Sequence, residues 1–281
     1  MKYAVVTGAS TGIGRSIAQE LAKAGWHVFG NVRKERDADD FKRDLGDMGT
    51  PLIFDVTDGV GVERAAAEVA AKVGKDGIDL LVNNAGVFVT GPLQYVDVEE
   101  FRRLLEVNTV SILRVTQAFL PLLGGSLPKR ANPGRIINMS SIAGRFSTPF
   151  TGSYSASKFA LESLSDAWRC ELMVYGIDIV VIEPGMIYTP IWDKLDKQKA
   201  GRLANTAYAK AMTRMQEQLE KQDNRGLPPE AVSQLVVQIM RTRRPKTRYV
   251  VARGAPWNLI PLRWMSDRMR DRAVSASMGL S

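Results

Sequence analysis

Seven short runs rich in Val and Ile recur along this chain, separated by amphipathic stretches. The runs are KYAVVTG, HVFGNV, TPLIFDV, DLLVNNAG, GRIINMSS, GIDIVVIEPG and TRYVVARG. Each is a few residues long and ends in turn formers, the pattern of buried strands. Between them lie helix-period stretches such as GRSIAQELAKAG and VERAAAEVAAKVG. Parallel strands need a crossover between them, and helical crossovers cover both sheet faces. The alternation therefore predicts an α/β chain: a doubly wound, seven-stranded parallel sheet with helices on both faces, in a single domain.

Composition narrows the chemistry more than the fold. The 281 residues include one histidine, His27, and one cysteine, Cys170. That pair cannot supply the three or four protein ligands of a usual zinc site. A lone cysteine also forms no intrachain disulfide, which fits a reducing, cytoplasmic setting. The opening MKYAVVTGAS reads as a strand rather than a signal peptide, and no run approaches the ~18 apolar residues of a membrane span. The net charge of +8 is unevenly placed. Residues 241–281 hold ten Arg or Lys and two Asp, leaving 28 basic and 28 acidic residues in 1–240. The charge gives no reason to expect nucleic-acid binding by the main body.

The first strand runs into TGASTGIG at residues 7–14, and a helix follows. Gly8 can turn sharply, Gly12 lets backbone approach a pyrophosphate, and Gly14 permits close helix–strand contact. Ser10, Thr11 and Ile13 lie between them, at a helix start whose free N–H groups favour an anion. The second strand ends at NVRKE. A carboxylate there would bind the adenosine ribose of NAD, whereas Arg accommodates the extra phosphate of NADP. Arg33 and Lys34 occupy the strand tip, so NADP is favoured and NAD less so.

A second cluster of chemistry is SYSASKFAL, residues 153–161. Tyr154 and Lys158 are i and i+4 on one helix face, so phenol and ammonium can sit side by side. The alternative is two polar residues on a wet helix. An unperturbed phenol has a pKa of about 10. A nearby cation favours phenolate, and a fall of about two to three units would suit general acid–base work.

In order along the chain stand TGASTGIG, the Asp55 of FDVTD, NNAG at 83–86, the Asn108 of EVNTV, the Ser141 of NMSS, Tyr154-x-x-x-Lys158 and PGMIYT at 184–189. With these motifs the chain resembles the short-chain dehydrogenase/reductase family over roughly residues 1–255. The resemblance implies a Rossmann-type fold and a catalytic set of Asn108, Ser141, Tyr154 and Lys158. Tyr154 would exchange the proton, Ser141 would hydrogen-bond the substrate oxygen, Lys158 would also bind the nicotinamide ribose, and Asn108 would kink its helix and hold a relay water. Asp55 and Val56 would contact adenine, and Asn83, Ala85 and Gly86 would border the ribose. Pro184, Gly185, Ile187 and Thr189 would hold the nicotinamide end. The resemblance also implies homo-oligomers built on helices around 102–122 and 154–174. The stretch 124–135 departs from the pattern and reads as an external loop.

Residues 186–226 correspond to the family's substrate-covering segment. In it Tyr208, Met212, Met215 and Leu219 recur at helical spacing. With Val87, Phe88, Val89, Phe146 and Phe150 they suggest an apolar pocket, although such a stripe also packs on a core or a neighbouring subunit. A hydrophobic alcohol or carbonyl, retinoid-, steroid- or lipid-like, is expected over a sugar. A 3-oxoacyl thioester reductase and a catalytically silent nucleotide sensor are the alternatives. The basic extension 256–281 resembles that of retinol and steroid dehydrogenases. Leu262, Met265 and Met269 fall on one helical face, and a membrane surface, a partner subunit or solvent is open to it.

Overall fold

The computed structural model describes residues 1–189, 203, 205–223, 226–254 and 264–280. Seven parallel strands form one sheet in the order β3-β2-β1-β4-β5-β6-β7. They are β1 (Lys2–Val6), β2 (Trp26–Val32), β3 (Gly49–Ile53), β4 (Leu80–Asn83), β5 (Arg135–Met139), β6 (Asp178–Pro184) and β7 (Arg248–Val251). All seven sequence runs are strands. The order reverses direction between β1 and β4, the switch point where open α/β sheets bind ligands.

Alternation along each strand divides the apolar side chains between two cores. From β1, Val6 joins Ile17 and Leu21 of α1 (Gly12–Lys23) and Val232, Val236 and Ile239 of α8 (Glu230–Arg241). Its neighbour Val5 points the other way. It joins Val62 and Val69 of α3 (Gly59–Val73) and Val115 and Phe119 of α5 (Ser111–Leu123). Each such fully buried side chain contributes about 1.5–3 kcal/mol. Helix α2 (Glu35–Leu45) flanks β2, α4 (Val98–Leu105) precedes α5, and α6 (Gly152–Glu171) carries the Tyr–Lys pair.

Helix α7 (Ala209–Asp223) brings Met212 and Met215 against Phe150, Leu203, Ala211 and Tyr208. The stripe read as a pocket wall is here a small packed core; the side chain of Leu219 lies outside the described residues. Phe150 adopts φ 69, a strained conformation for a bulky residue. Its carbonyl accepts from the Gly91 amide at 2.8 Å. The chain ends in α9 (Asp267–Met278). Ser266 precedes it in extended conformation, so Met265 and Met269 do not share one continuous helical face, contrary to the sequence reading. Leu262 lies outside the described residues, as does much of segment 186–226.

The 124–135 loop sits at the end of the sheet where β4 and β5 begin. Arg130 fastens it there, donating to the Ile78 carbonyl at 2.7 Å. The functional motifs lie at the opposite, carboxyl end. His27 is also remote from them, buried in β2 with Nε2 2.9 Å from the Thr50 hydroxyl.

Candidate active site

A cleft of about 640 Å³ opens over the carboxyl ends of the strands. At one end the β1–α1 turn forms its floor. Gly8 has φ 65 and Gly12 φ 56, values that glycine adopts without strain. A Cβ on Gly8 would stand 2.9 Å from Ala85 Cα, and one on Gly14 would stand 2.2 Å from the Gly8 carbonyl oxygen. Only glycine permits this closeness of turn, helix and β4. No side chain caps α1 at Thr11, so its first N–H groups stay free for an anion. These uncapped donors fit the phosphates of a dinucleotide.

Two asparagines brace the turn. Asn31 accepts from the Gly8 amide at 3.1 Å, and Asn84 donates to the carbonyl oxygens of Thr7 at 2.9 Å and Gly8 at 3.2 Å. Both line the cleft. Asn83 does not. Its side chain turns inward to Thr116 at 3.0 Å and Asn138 at 2.9 Å, so of the two asparagines Asn84, not Asn83, faces the cleft. Gly14 lies beneath the turn, and Lys34, just before α2, lies outside the cleft. Ser10, Thr11, Ile13, Arg33, Asp55, Val56, Ala85 and Gly86 all line it, as do Pro184, Gly185, Ile187 and Thr189.

Asp55 is held in place by Thr57, whose amide and hydroxyl donate to it at 2.9 and 2.7 Å. Burial disfavours its charge, but these bonds and the nearby Arg33 and Arg103 hold its carboxyl below the usual value. Arg103, on α4, is a cleft residue that no sequence motif marked.

At the other end stand the four residues of the expected catalytic set. Asn108 is fully buried in a π-helical turn, Glu106–Val110, that joins α4 to α5. It donates to the Val87 carbonyl at 2.9 Å and the Ser157 hydroxyl at 3.1 Å, and accepts from the Val87 amide at 2.8 Å. It thereby ties the loop after β4 to α6. Of the adjacent serines, Ser141 is the one whose hydroxyl acts on the Tyr154 phenol, holding it down; it donates to the Pro184 carbonyl at 3.3 Å and accepts from the Ala143 amide at 3.1 Å. Lys158, 4% exposed, donates to the Met139 carbonyl at 2.8 Å. Its Nζ is 5.7 Å from the centre of the Tyr154 ring. A Cβ on Gly86 would lie 3.4 Å from Asn108 Oδ1 and 4.0 Å from Lys158 Nζ, so three motifs distant in sequence meet there.

Burial dominates the titration of the pair. It pushes Tyr154 up to about 12, against the opposing bond from Ser141. It pushes Lys158 down to about 8, against the charge of Glu162. The lowered phenol expected from the sequence is therefore not found in the free protein. Desolvation outweighs the neighbouring ammonium, which is directed at a carbonyl instead. Tyr154 therefore keeps its proton at physiological pH. Among the described residues no cluster of His, Cys, Asp or Glu could hold a metal ion.

Residues 2–200 match the family described as short chain dehydrogenase. The chain belongs to this family. It is 40% identical over 272 residues to the NADPH-dependent 3-dehydrocapnine reductase of Ornithobacterium rhinotracheale, covering 97% of this chain and 95% of that one. It is 29% identical to mouse retinol dehydrogenase 16, covering 96% and 86%. A short-chain dehydrogenase from Streptomyces avermitilis superposes with a TM-score of 0.76 at 27% identity, covering 98% of this chain and 97% of that structure. The motifs thus belong to an oxidoreductase fold on the retinol dehydrogenase-like side of the family.

Proposed function

We propose that this protein is an NADPH-dependent reductase that converts a hydrophobic ketone or aldehyde to the alcohol, with Tyr154 as general acid. The observation that carries this reading is the protonated, half-buried Tyr154, set beside Ser141 and packed against Phe88 at the end of the cleft. A phenol pushed up to about 12 keeps its proton at neutral pH and has it ready for a developing alkoxide, the role that reduction needs. The similarity to an enzyme named as an NADPH-dependent reductase supports the same direction and cofactor.

The nucleotide would lie along the cleft, with its phosphates on the uncapped start of α1 and its 2′-phosphate at Arg33. Asp55 and Val56 would border the adenine, and Ile187 and Thr189 the nicotinamide. When bound, it supplies hydride to the carbonyl carbon. Ser141 donates a hydrogen bond to the carbonyl oxygen, and Tyr154 passes its hydroxyl proton to that oxygen as charge builds there. Lys158 places an ammonium beside the phenol and stabilises the phenolate that remains. Asn108 holds the Val87 loop against α6 and keeps this wall in register. Phe88 and Val87 give the reacting end an apolar wall.

We assign residues 1–255 to the catalytic domain and 256–281 to its extension, whose arginines suit contact with an anionic membrane surface. We also assign a homo-oligomer assembled on α5 and α6: Phe159 is exposed on α6, Val110 just before α5, and Met173 and Val174 just after α6. NADPH oxidation should be followed by its absorbance against steroids, retinals, aliphatic ketones and aldehydes, and 3-oxoacyl thioesters. Turnover of apolar ketones or aldehydes is expected. Turnover of thioesters alone, or of none, overturns the substrate reading.

A further inference from the structure

Directly behind the cleft, the proposed chemistry leaves a set of buried charges unused. Glu162 stands one helical turn beyond Lys158 on α6 and is 6% exposed, and Glu183, at 2%, lies just before Pro184 in β6. Arg248 of β7 reaches both carboxylates. Its Nε is 2.9 Å from Glu162 Oε2 and 3.5 Å from Glu183 Oε1, and its Nη2 is 2.5 Å from Asp166 Oδ1. Arg145, in the turn after β5, places Nε 3.0 Å from Glu183. Arg169 holds the other end, 2.6 Å from Asp166.

Glu162 also underlies the turn that carries Ser141. A Cβ on Gly144 would come within 3.1 Å of Glu162 Cγ and 3.2 Å of the Lys158 carbonyl oxygen. Yet its Oε1 is buried and accepts no hydrogen bond among the described residues. A buried carboxylate with an unused oxygen is costly. It is explained if its charge serves another group, and the ammonium on the same helix face one turn away is that group.

We propose that Glu162 is a positioning residue for reduction: its carboxylate, clamped by Arg248, is the counter-charge that keeps Lys158 an ammonium beside Tyr154. The proposal rests on the reading of Lys158 given above. The charged groups around Glu162 are Lys158 and Asp166, one helical turn to either side on α6, Arg248 from β7, which bonds it, Glu183 from β6, which shares Arg248, and Arg145 from the β5 turn, which pairs with Glu183. Burial lowers Lys158 and Glu162 opposes that fall. Without Glu162 the ammonium is lost at lower pH.

The test is Glu162→Gln, which keeps shape and removes charge. In the pH profile of kcat/KM for ketone reduction, the alkaline limb should move down by about one unit, the low end of the shift that a close opposite charge produces. Glu162→Asp should restore much of it. Asp166→Asn, at the half-exposed end of the cluster, should move the limb the same way by less, and it serves if Glu162→Gln does not fold. A second readout needs no cofactor. Lys158 is lowered in the folded protein, so the unfolded chain binds more protons between about pH 8 and 10.5, and stability rises with pH there. Removing Glu162 deepens the penalty below that window only. The melting-temperature deficit of Glu162→Gln should therefore shrink as pH rises from about 7 to 10. A limb that stays in place in every folded variant, with a deficit independent of pH, overturns the proposal. Failure of the wild type to oxidise NADPH overturns the functional reading instead and leaves the melting curves to judge this one.

Discussion

The ring of Phe88 meets the ring of Tyr154 edge-on, with centroids 4.6 Å apart and planes at 75°. This is a favourable aromatic geometry, and it seals one side of the phenol from water. Phe88→Ala should raise KM for apolar ketones about tenfold, since burying an aromatic side chain contributes about 1.5–3 kcal/mol and each 1.4 kcal/mol is tenfold. A small polar ketone should lose much less. Steady-state kinetics on the two substrates checks this, and equal losses would remove Phe88 from the substrate wall.

Tyr154→Phe deletes the transferable proton and little else. It should reduce kcat about 100-fold or more while NADPH still binds, since losing a positioned acid costs on that scale. In the wild type, reduction should decline above about pH 8. There Lys158 loses its proton while Tyr154, pushed up to about 12, keeps its own. A profile flat to pH values near 10 would assign the limb to neither group.

Arg33 lies on the cleft wall at the end of β2, where only the adenosine 2′-phosphate distinguishes NADPH from NADH. Arg33→Ala should weaken NADPH by about 10- to 150-fold, the range for hydrogen bonds to charged groups. NADH should scarcely change. Dissociation constants at fixed ionic strength test this, because exposed charges are screened. Equal weakening of both nucleotides would contradict the assignment.

On the outer face of α6, Phe159 is 43% exposed although it adjoins the buried Lys158. If α6 pairs across subunits, Phe159→Glu places a charge in that interface and should yield monomers. Light scattering at micromolar concentration reads the mass directly. A wild type that is already monomeric removes this face as an assembly surface.

The strands were legible because Val and Ile runs ending in turn residues leave few other structures open. What stayed hidden was where side chains point at the ends of elements. NNAG offers two asparagines, and only the position where β4 stops decides between them. Asn83 is still paired with Asn138 in the sheet, so Asn84 is the one that reaches the turn. The spacing of Met212 and Met215 marked a face but not its partner, which came from Phe150, far back in the chain. The Tyr154–Lys158 pair was visible as i and i+4, but the balance of burial against charge depends on what covers them. Lys158 and Glu162 share the same spacing, whereas Arg248 completes their surroundings from 86 residues beyond Glu162.

Arg248 belongs to the last strand of the sheet. A chain emerging from the ribosome therefore presents Glu162 long before the guanidinium that clamps it, whereas Glu183 already has Arg145. The first six strands and their helices can collapse, but the Glu162 carboxylate must stay hydrated or protonated until β7 docks along β6. Vectorial synthesis thus makes closure of the sheet edge and assembly of the charges beneath Lys158 a single event. A nascent chain halted ahead of that strand holds the tyrosine, serine and lysine of the site without the electrostatic support beneath them.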